Sequence, residues 1–311
     1  MSSTTPTIDI CIATYKRPQL LKKLLLSLFA QETCGEFSFG IIVADNDAQR
    51  SAEPVVGALN TRGQKITYAV EPEQNISLAR NKALSLATGD YIATIDDDEY
   101  ADPRWLLNLY RVLSTYKADV VHGPVISEVH PKTPSYIKQG FVRPNPATGS
   151  TEKYILNTGN TLFRRELIEG LPTPFDPRFG RTGSEDTAFF YKLKRRGCRM
   201  TWCQEALVFE TVSSNRANLL WLLKRRFRNG NLYPRYHGYS NPVRGAQIGF
   251  SCLQLLKLSC TVLLCMVGGI FSSKYINQGI ECLFHISFRL GILAHYVNVR
   301  VGDRDREVSN I

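Results

Sequence analysis

Asp90-Tyr91-Ile92-Ala93-Thr94-Ile95-Asp96-Asp97-Asp98-Glu99 is an apolar run of strand length that ends in four consecutive acids. Tyr91, Ala93 and Ile95 alternate as on a buried strand that emerges into solvent where the acids begin. Like charges crowded at one strand end disfavour their own ionisation unless a positive group sits among them. A divalent cation bridging to a phosphorylated ligand is the obvious candidate, because Mg²⁺ takes one or two carboxylates and leaves its other positions to phosphates. The plainer alternative is a solvated acidic turn. The carboxyl end of a strand favours a ligand, since open α/β sheets bind their ligands there.

Upstream of this run the chain alternates strand and helix patterns. Ile8–Ala13 reads as a strand, Pro18–Gln31 as a helix carrying Leu20, Leu21, Leu24, Leu25 and Leu28, and Phe39–Ala44 and Lys65–Val70 as strands. Ser77–Ala87 reads as a helix that Thr88-Gly89 ends. Downstream come a helix near Pro103–Tyr116 and a strand at Asp119–His122. This order predicts an α/β domain with a mainly parallel sheet. Residues 123–156 are proline-rich (Pro124, Pro131, Pro134, Pro144, Pro146) and read as extended loops and edge elements over the carboxyl end of the sheet. Asn157–Arg164 resumes a strand, and Glu185–Arg196 reads as a helix.

Charge is placed unevenly. Residues 1–215 carry 25 Lys/Arg against 24 Asp/Glu, whereas residues 216–311 carry 13 against 4. The basic segment also holds two apolar stretches, Ala246–Phe271 and Ile276–Val297, so it reads as membrane-facing rather than nucleic-acid-binding. Lys257 interrupts the first stretch, and Glu281, His285 and Arg289 interrupt the second. Helices lying at the interface or packed on the domain are therefore preferred over a transmembrane hairpin. The expected division is a catalytic domain over 1–230 and a C-terminal membrane-associating helical segment over 231–311.

Met1–Pro6 is short and polar without a secretory pattern, which predicts a cytosolic catalytic portion, on the cytoplasmic face of the inner membrane. The eight cysteines form no CxxC pair and several sit in apolar runs, so they read as reduced structural thiols. The five histidines show no metal-ligand spacing, and no GxSxG elbow points to a serine hydrolase.

Each strand delivers a polar cluster to the same edge. The first ends in Ala13-Thr14-Tyr15-Lys16-Arg17-Pro18, without the GxGxxG of a dinucleotide dehydrogenase. The second ends in Val43-Ala44-Asp45-Asn46-Asp47, and the third leads into Glu71-Pro72-Glu73-Gln74-Asn75 and then Ala79-Arg80-Asn81. Singly, each is an ordinary turn; in series with the acids they outline one nucleotide-sized cleft.

In these motifs the chain, over roughly residues 6–230, resembles family 2 glycosyltransferases, inverting enzymes of the GT-A fold. Ile12–Pro18 is similar to the family's opening Pro-Thr-Tyr-Asn-Arg strand tip, with Ala13 in place of proline and Lys16 in place of asparagine. Ala44-Asp45-Asn46-Asp47 resembles its Asp-Asp-Gly-Ser, Ala79-Arg80-Asn81 its helix motif, and Asp96-Asp97-Asp98 its DxD. Gly183-Ser184-Glu185-Asp186 resembles its Gly-Glu-Asp element, with Ser184 as an added variation. Within the family the likeness is to bacterial exopolysaccharide glycosyltransferases of the succinoglycan type.

The resemblance implies a UDP-sugar donor held by Thr14, Tyr15, Arg17, Asp45, Asn75, Arg80, Asp96 and Asp97. Tyr15 would stack on uracil, Asp45 would accept its N3–H, and Asn75 or Arg80 would help hold the base or diphosphate. Asp96 and Asp97 would lie near the ribose and metal, and Asp98 would ligate Mg²⁺ or Mn²⁺. Asp186 would be the base that takes the acceptor proton, with Glu185 orienting the acceptor. The plainer reading of that pair is a helix N-terminus carrying acids, capped by Ser184. The basic run Lys224–Gly230 could close over the diphosphate, bind anionic headgroups or form a solvated helix end. No Gln-x-x-Arg-Trp motif occurs there, which favours addition of one sugar over processive polymerisation. Trp221 and His237 read as packing residues.

The expected activity is transfer of a sugar, glucose first among candidates, from a UDP-sugar to a glycan hydroxyl with inversion. The expected acceptor is a lipid-linked oligosaccharide of exopolysaccharide assembly at a membrane surface. A nucleotidyltransferase is disfavoured because Thr14–Pro18 lacks glycine. A non-catalytic membrane-associated nucleotide-sugar-binding module would show no turnover.

Overall fold

Short apolar segments between leucine-rich amphipathic segments fold as strands flanked by helices, because each helix must bury its apolar stripe against the sheet. A computed structural model describes residues 5–60, 65–152, 156–237, 241–269 and 273–299. In chain order the elements are β1 Thr7–Thr14, α1 Pro18–Phe29, β2 Ser38–Asp45, α2 Glu53–Leu59, β3 Ile66–Val70, α3 Ile76–Ser85, β4 Tyr91–Thr94 and β5 Glu99–Ala101. There follow α4 Trp105–Thr115, β6 Val120–His122, β7 Val125–Glu128, α5 Ser135–Lys138, β8 Thr161–Arg164, α6 Glu185–Arg195, β9 Met200–Trp202 and β10 Val208–Thr211. The chain closes with α7 Leu219–His237, α8 Asn241–Gly269 and α9 Ser273–Tyr296.

The main sheet has seven strands in the order β3-β2-β1-β4-β8-β6-β9. Pairing is parallel across β3/β2, β2/β1, β1/β4 and β6/β9, and β8 alone runs antiparallel to both neighbours. The expected α/β class with a mainly parallel sheet is therefore observed. Parallel strands in this setting are buried on both faces. Ile8, Ile10 and Ile12 pack on one side with Leu21, Leu24, Leu25 and Leu28 of α1 and Trp105 and Leu109 of α4. Cys11, Ile42, Ile92 and Phe163 pack on the other with Ala83 of α3 and Phe189, Phe190 and Leu193 of α6. The three layers leave the carboxyl ends of β1–β4 together at one edge.

The acid-tipped strand is buried on both faces, as its apolar run predicts. Ile92 and Thr94 are as buried as Ala93 and Ile95. The sequence pattern missed α2, β5, β7, β9 and β10, most of which are too short for periodicity to register. β5, β10 and β7 form a second, three-stranded sheet, in which Glu99 lies opposite Glu210.

The described residues divide into two compact units, one within 5–126 and 143–211, the other within 127–142 and 212–299. The expected boundary at residue 230 falls inside the continuous helix α7. In the second unit α9 packs against both α7 and α8. Its contact with α7 is close because two glycines remove side chains there. A Cβ on Gly230 would lie 1.9 Å from the Phe288 carbonyl oxygen, and one on Gly291 2.0 Å from that of Phe227. Trp221 stacks against Phe141, and His237 lies against Tyr233, so both serve packing. All eight cysteines are free thiols. Ile270 and Phe271, at the end of the first expected apolar stretch, lie outside the described residues, as do Met1–Thr4.

Candidate active site at the strand tips

The parallel register aligns the strand ends. Thr14 pairs with Asp45, Asp45 with Val70, and Cys11 with Thr94. Everything that follows these residues, including the acids after β4, emerges on the same edge. Because β8 runs the other way, its first residue, Thr161, sits beside Thr94 and adds residues 157–160 to that edge.

The acid run is neither a solvated turn nor uncompensated. Asp97 and Glu99 are buried, while Asp96 and Asp98 are half-buried. Thr14 Oγ1 donates to Asp97 at 2.8 Å, and Arg17 Nη1 donates to both Asp97 and Asp98 at 3.1 Å. Burial still pushes the Asp97 carboxyl up to about 6, against the pull of Arg17 and with Asp98 adding to the rise. Glu99 turns inward, where its Oε2 accepts the Asp96 backbone N–H at 2.9 Å. Gly159 permits this, since a Cβ there would stand 2.5 Å from Glu99 Oε1. Burial and the neighbouring acids raise the Glu99 carboxyl well above its ordinary range. Glu99 thus shapes the turn.

A second cation spans the edge. Arg80, on α3, donates through Nη2 to Asp96 at 2.8 Å and through Nη1 to Glu185 at 2.5 Å, with its guanidinium 5.7 Å from the Phe175 ring. Glu185 is 2 % exposed, and its Oε2 has no hydrogen-bond partner among the described residues. Next to it Asp186 is half-buried and bonds the Thr187 N–H at 2.6 Å. Burial, and then Glu185, push the Asp186 carboxyl up to about 6, while Arg80 opposes the shift. Ser184, the cap in the plainer reading of this acid pair, makes no side-chain cap on α6. It sits at φ 70°, directly after Gly183 at φ 91°. Two successive left-handed residues, not a cap, deliver the acid pair to the helix start.

Three residues expected to touch a donor have their polar atoms engaged by the protein. Asp45 is buried and accepts from Asp47 N at 3.1 Å, Ala52 N at 2.8 Å and Tyr68 Oη at 2.9 Å. Asn75 is the N-cap of α3, its oxygen accepting from the backbone of Ser77 and Leu78 and its nitrogen donating to the Pro177 carbonyl. Arg80 is the bridge just described. Thr14 and Arg17 hold the acids. Tyr15 remains half-buried beside Lys16, whose ammonium lies 5.3 Å from its ring centre and whose backbone is left-handed at φ 52°.

Several organising residues escaped sequence reasoning. Asn46 ties the β2 tip to the next loop by donating to the Glu71 and Glu73 carbonyls and accepting the Asn75 N–H. Buried Asn160 accepts from Trp105 Nε1 and donates to the Pro124 and Ala206 carbonyls. Asn46 lies inside the quoted Asp45-Asn46-Asp47 tip, which does not show its loop-tying role, and Asn160 lies in no distinctive motif. A cavity of about 10 Å³ lies under Asp96, lined by Arg80, Thr94, Thr158 and Phe175.

The acids suit a hard divalent cation by donor chemistry, being oxygen ligands only. Among the described residues no three ligating side chains converge on one point. A carboxylate at Asp98, about one-fifth exposed, is the kind of partial protein shell that Mg²⁺ or Mn²⁺ completes with phosphate and water.

The model of Glycosyl transferase family 2 matches residues 9–171. The chain is 37% identical over 261 residues to the succinoglycan biosynthesis protein ExoM of Rhizobium meliloti, covering 80% of this chain and 84% of that one. Among solved structures, the mannosyltransferase PcManGT from Pyrobaculum calidifontis, in complex with GDP-Man and Mn²⁺, superposes with a TM-score of 0.62 at 17% identity, over 94% of this chain and 88% of that one. S. aureus TarS 1-349 in complex with UDP superposes with a TM-score of 0.54 at 15% identity, over 94% and 91%. The strand-tip acids, the α3 arginine and the acid pair opening α6 occur in a chain that belongs to glycosyltransferase family 2.

Proposed function

We propose that this enzyme transfers a sugar from a UDP-sugar, glucose being the first candidate, to a hydroxyl of a lipid-linked oligosaccharide in exopolysaccharide biosynthesis, with inversion at the anomeric carbon. The observation that carries this reading is the Arg80 bridge, which joins Asp96 of the strand-tip acids to Glu185 beside Asp186. A direct displacement needs a leaving group held on one side and a base on the other, and this bridge links the two sets of acids. The relationship to ExoM supports the biosynthetic setting, and the UDP complex of a fold neighbour supports the nucleotide.

In this assignment Asp186 takes the proton of the acceptor hydroxyl as its oxygen attacks the sugar. Glu185 orients the acceptor. Tyr15 stacks on the uracil, over a floor that Asp45 and the Asn75 cap hold in shape. Thr14 and Arg17 fix Asp97 and Asp98, and Arg80 fixes Asp96 toward the ribose. Asp98 would hold Mg²⁺ or Mn²⁺, which when bound offsets the charge developing on the departing diphosphate. The strand-tip unit carries the catalytic part, and the C-terminal helices hold it to the cytoplasmic face of the inner membrane.

A screen of UDP-sugars with membrane extract, read as UDP release, tests this. Release with one donor, abolished by Asp186→Asn while UDP still binds, is the expected result. Transfer by Asp186→Asn near the unmodified rate removes Asp186 as the base.

A further inference from the structure

Gly245–Val267, 23 residues within α8, is apolar enough and long enough to cross a bilayer, with a mean hydropathy of 1.9 over its most apolar 18-residue stretch. It buries only a narrow stripe. Ser251 and Cys265 are covered, and α9 lies antiparallel along this side. Tyr296 Oη donates to Gln247, Arg289 lies over the Phe250 ring, and Gly279 approaches Cys265. Gln247, Ile248, Gln254, Leu255, Leu258, Thr261 and Val262 flank that stripe half-buried. The opposite face is exposed, with Leu253, Leu256, Leu263, Leu264 and Val267 each between 64 % and 73 %. A helix apolar on nearly every side requires an apolar partner.

Two observations on this helical unit decide what kind of partner. Lys257, the single charged residue of the span, stands near its middle, where a transmembrane helix would carry it to the bilayer midplane. The paired helix α9 carries Glu281 and Arg289 along the same length, so a spanning α8 would draw both into hydrocarbon. On its other flank α9 packs against α7, which bears Lys224, Arg225, Arg226 and Arg228. Polarity thus falls across the layers from basic α7 through mixed α9 to apolar α8. That gradient matches a helix lying flat at an interface, with cations left at headgroup level and a lysine stem long enough to reach them. The net excess of nine positive charges over residues 216–311 favours anionic lipid.

We infer that α8 lies in the plane of the membrane interface, immersing its Leu253–Leu256–Leu263–Leu264–Val267 face among the acyl chains of anionic lipid. It specifies the membrane attachment proposed above, and it stands on the packing of the helical unit alone, so it and the sugar-transfer reading fail separately.

Leu253, Cys260 and Val267 are spaced by seven residues and so lie along one line of the helix. Full-length protein carrying a single nitroxide at Leu253→Cys, at Cys260 or at Val267→Cys, with every other exposed cysteine (Cys34, Cys252 and, in the two engineered proteins, Cys260) changed to serine, is bound to vesicles of phosphatidylcholine with phosphatidylglycerol. An in-plane helix places all three labels at one shallow depth. A spanning helix spreads the outer two over about 21 Å of depth, and labels reached only by water-soluble quencher show no immersion; either result overturns the inference. Leu253→Asp with Leu264→Asp is expected to weaken vesicle binding at least tenfold with unchanged helical circular dichroism and UDP binding. Undiminished binding by that variant, or equal binding to pure phosphatidylcholine, also counts against it.

Discussion

Arg80 and Glu185 form a buried ion pair, Nη1 to Oε1 at 2.5 Å, with the two side chains 12 % and 3 % exposed. The same guanidinium holds Asp96, so a residue on α3 joins the turn after β4 to the start of α6. Charge that would repel at a strand tip is thereby neutralised by the protein itself, through Arg80 and Arg17.

Removing one partner of such a pair strands the other in a low-dielectric setting. Arg80→Met is expected to lower unfolding free energy by about 3 kcal/mol in denaturant titration. Adding Glu185→Gln to Arg80→Met is expected to restore part of that loss, whereas equal losses in single and double variants would show that the pair contributes nothing.

A base must be unprotonated to act. The Asp186 carboxyl is raised to about 6, by burial first and then by Glu185. Turnover is therefore expected to rise as pH climbs through about 6 and to level off above it. Because Arg80 opposes the rise, Arg80→Met is expected to move the midpoint to higher pH. An unmoved midpoint in UDP-release assays would detach Asp186 from the profile.

Asp98→Ala is expected to abolish the Mn²⁺ dependence of UDP binding in calorimetric titration. The same titration with Asp98→Ala indistinguishable from the unmodified protein would assign the metal elsewhere.

Ser184 occupies a left-handed conformation without a capping bond. Ser184→Gly is expected to leave the thermal midpoint unchanged or higher, because glycine meets no Cβ penalty there. Ser184→Val is expected to cost about 2 kcal/mol, since a β-branched side chain suffers most at positive φ.

Gly291→Ala puts a methyl into the Phe227 carbonyl across the α7–α9 crossing. The helices must separate to admit it, at an expected cost of about 2–3 kcal/mol by chemical denaturation. Gly245, with nothing within 4 Å of its would-be Cβ, is the control that accepts alanine without loss.

Local pattern was enough for much of this protein. Leucine spacing marked α1, apolar runs marked β1 to β4, and the polar tips with their order along the chain identified the family before any coordinate. These features are legible because each depends on neighbours within a turn or a strand. The antiparallel insertion of β8, the burial of Asp45 under Tyr68, the tie of Asn75 to the Pro177 carbonyl and the choice of Arg17 and Arg80 to neutralise the acids were not legible. Each depends on groups brought together from distant parts of the chain, as Thr14 and Arg17 meet Asp97 and as Arg80 meets Glu185. Periodicity reports which face a residue occupies, but the partner of a buried charge is fixed only when the sheet order closes. Composition marked the acids as a charge that had to be balanced, and packing selected the arginines that balance it.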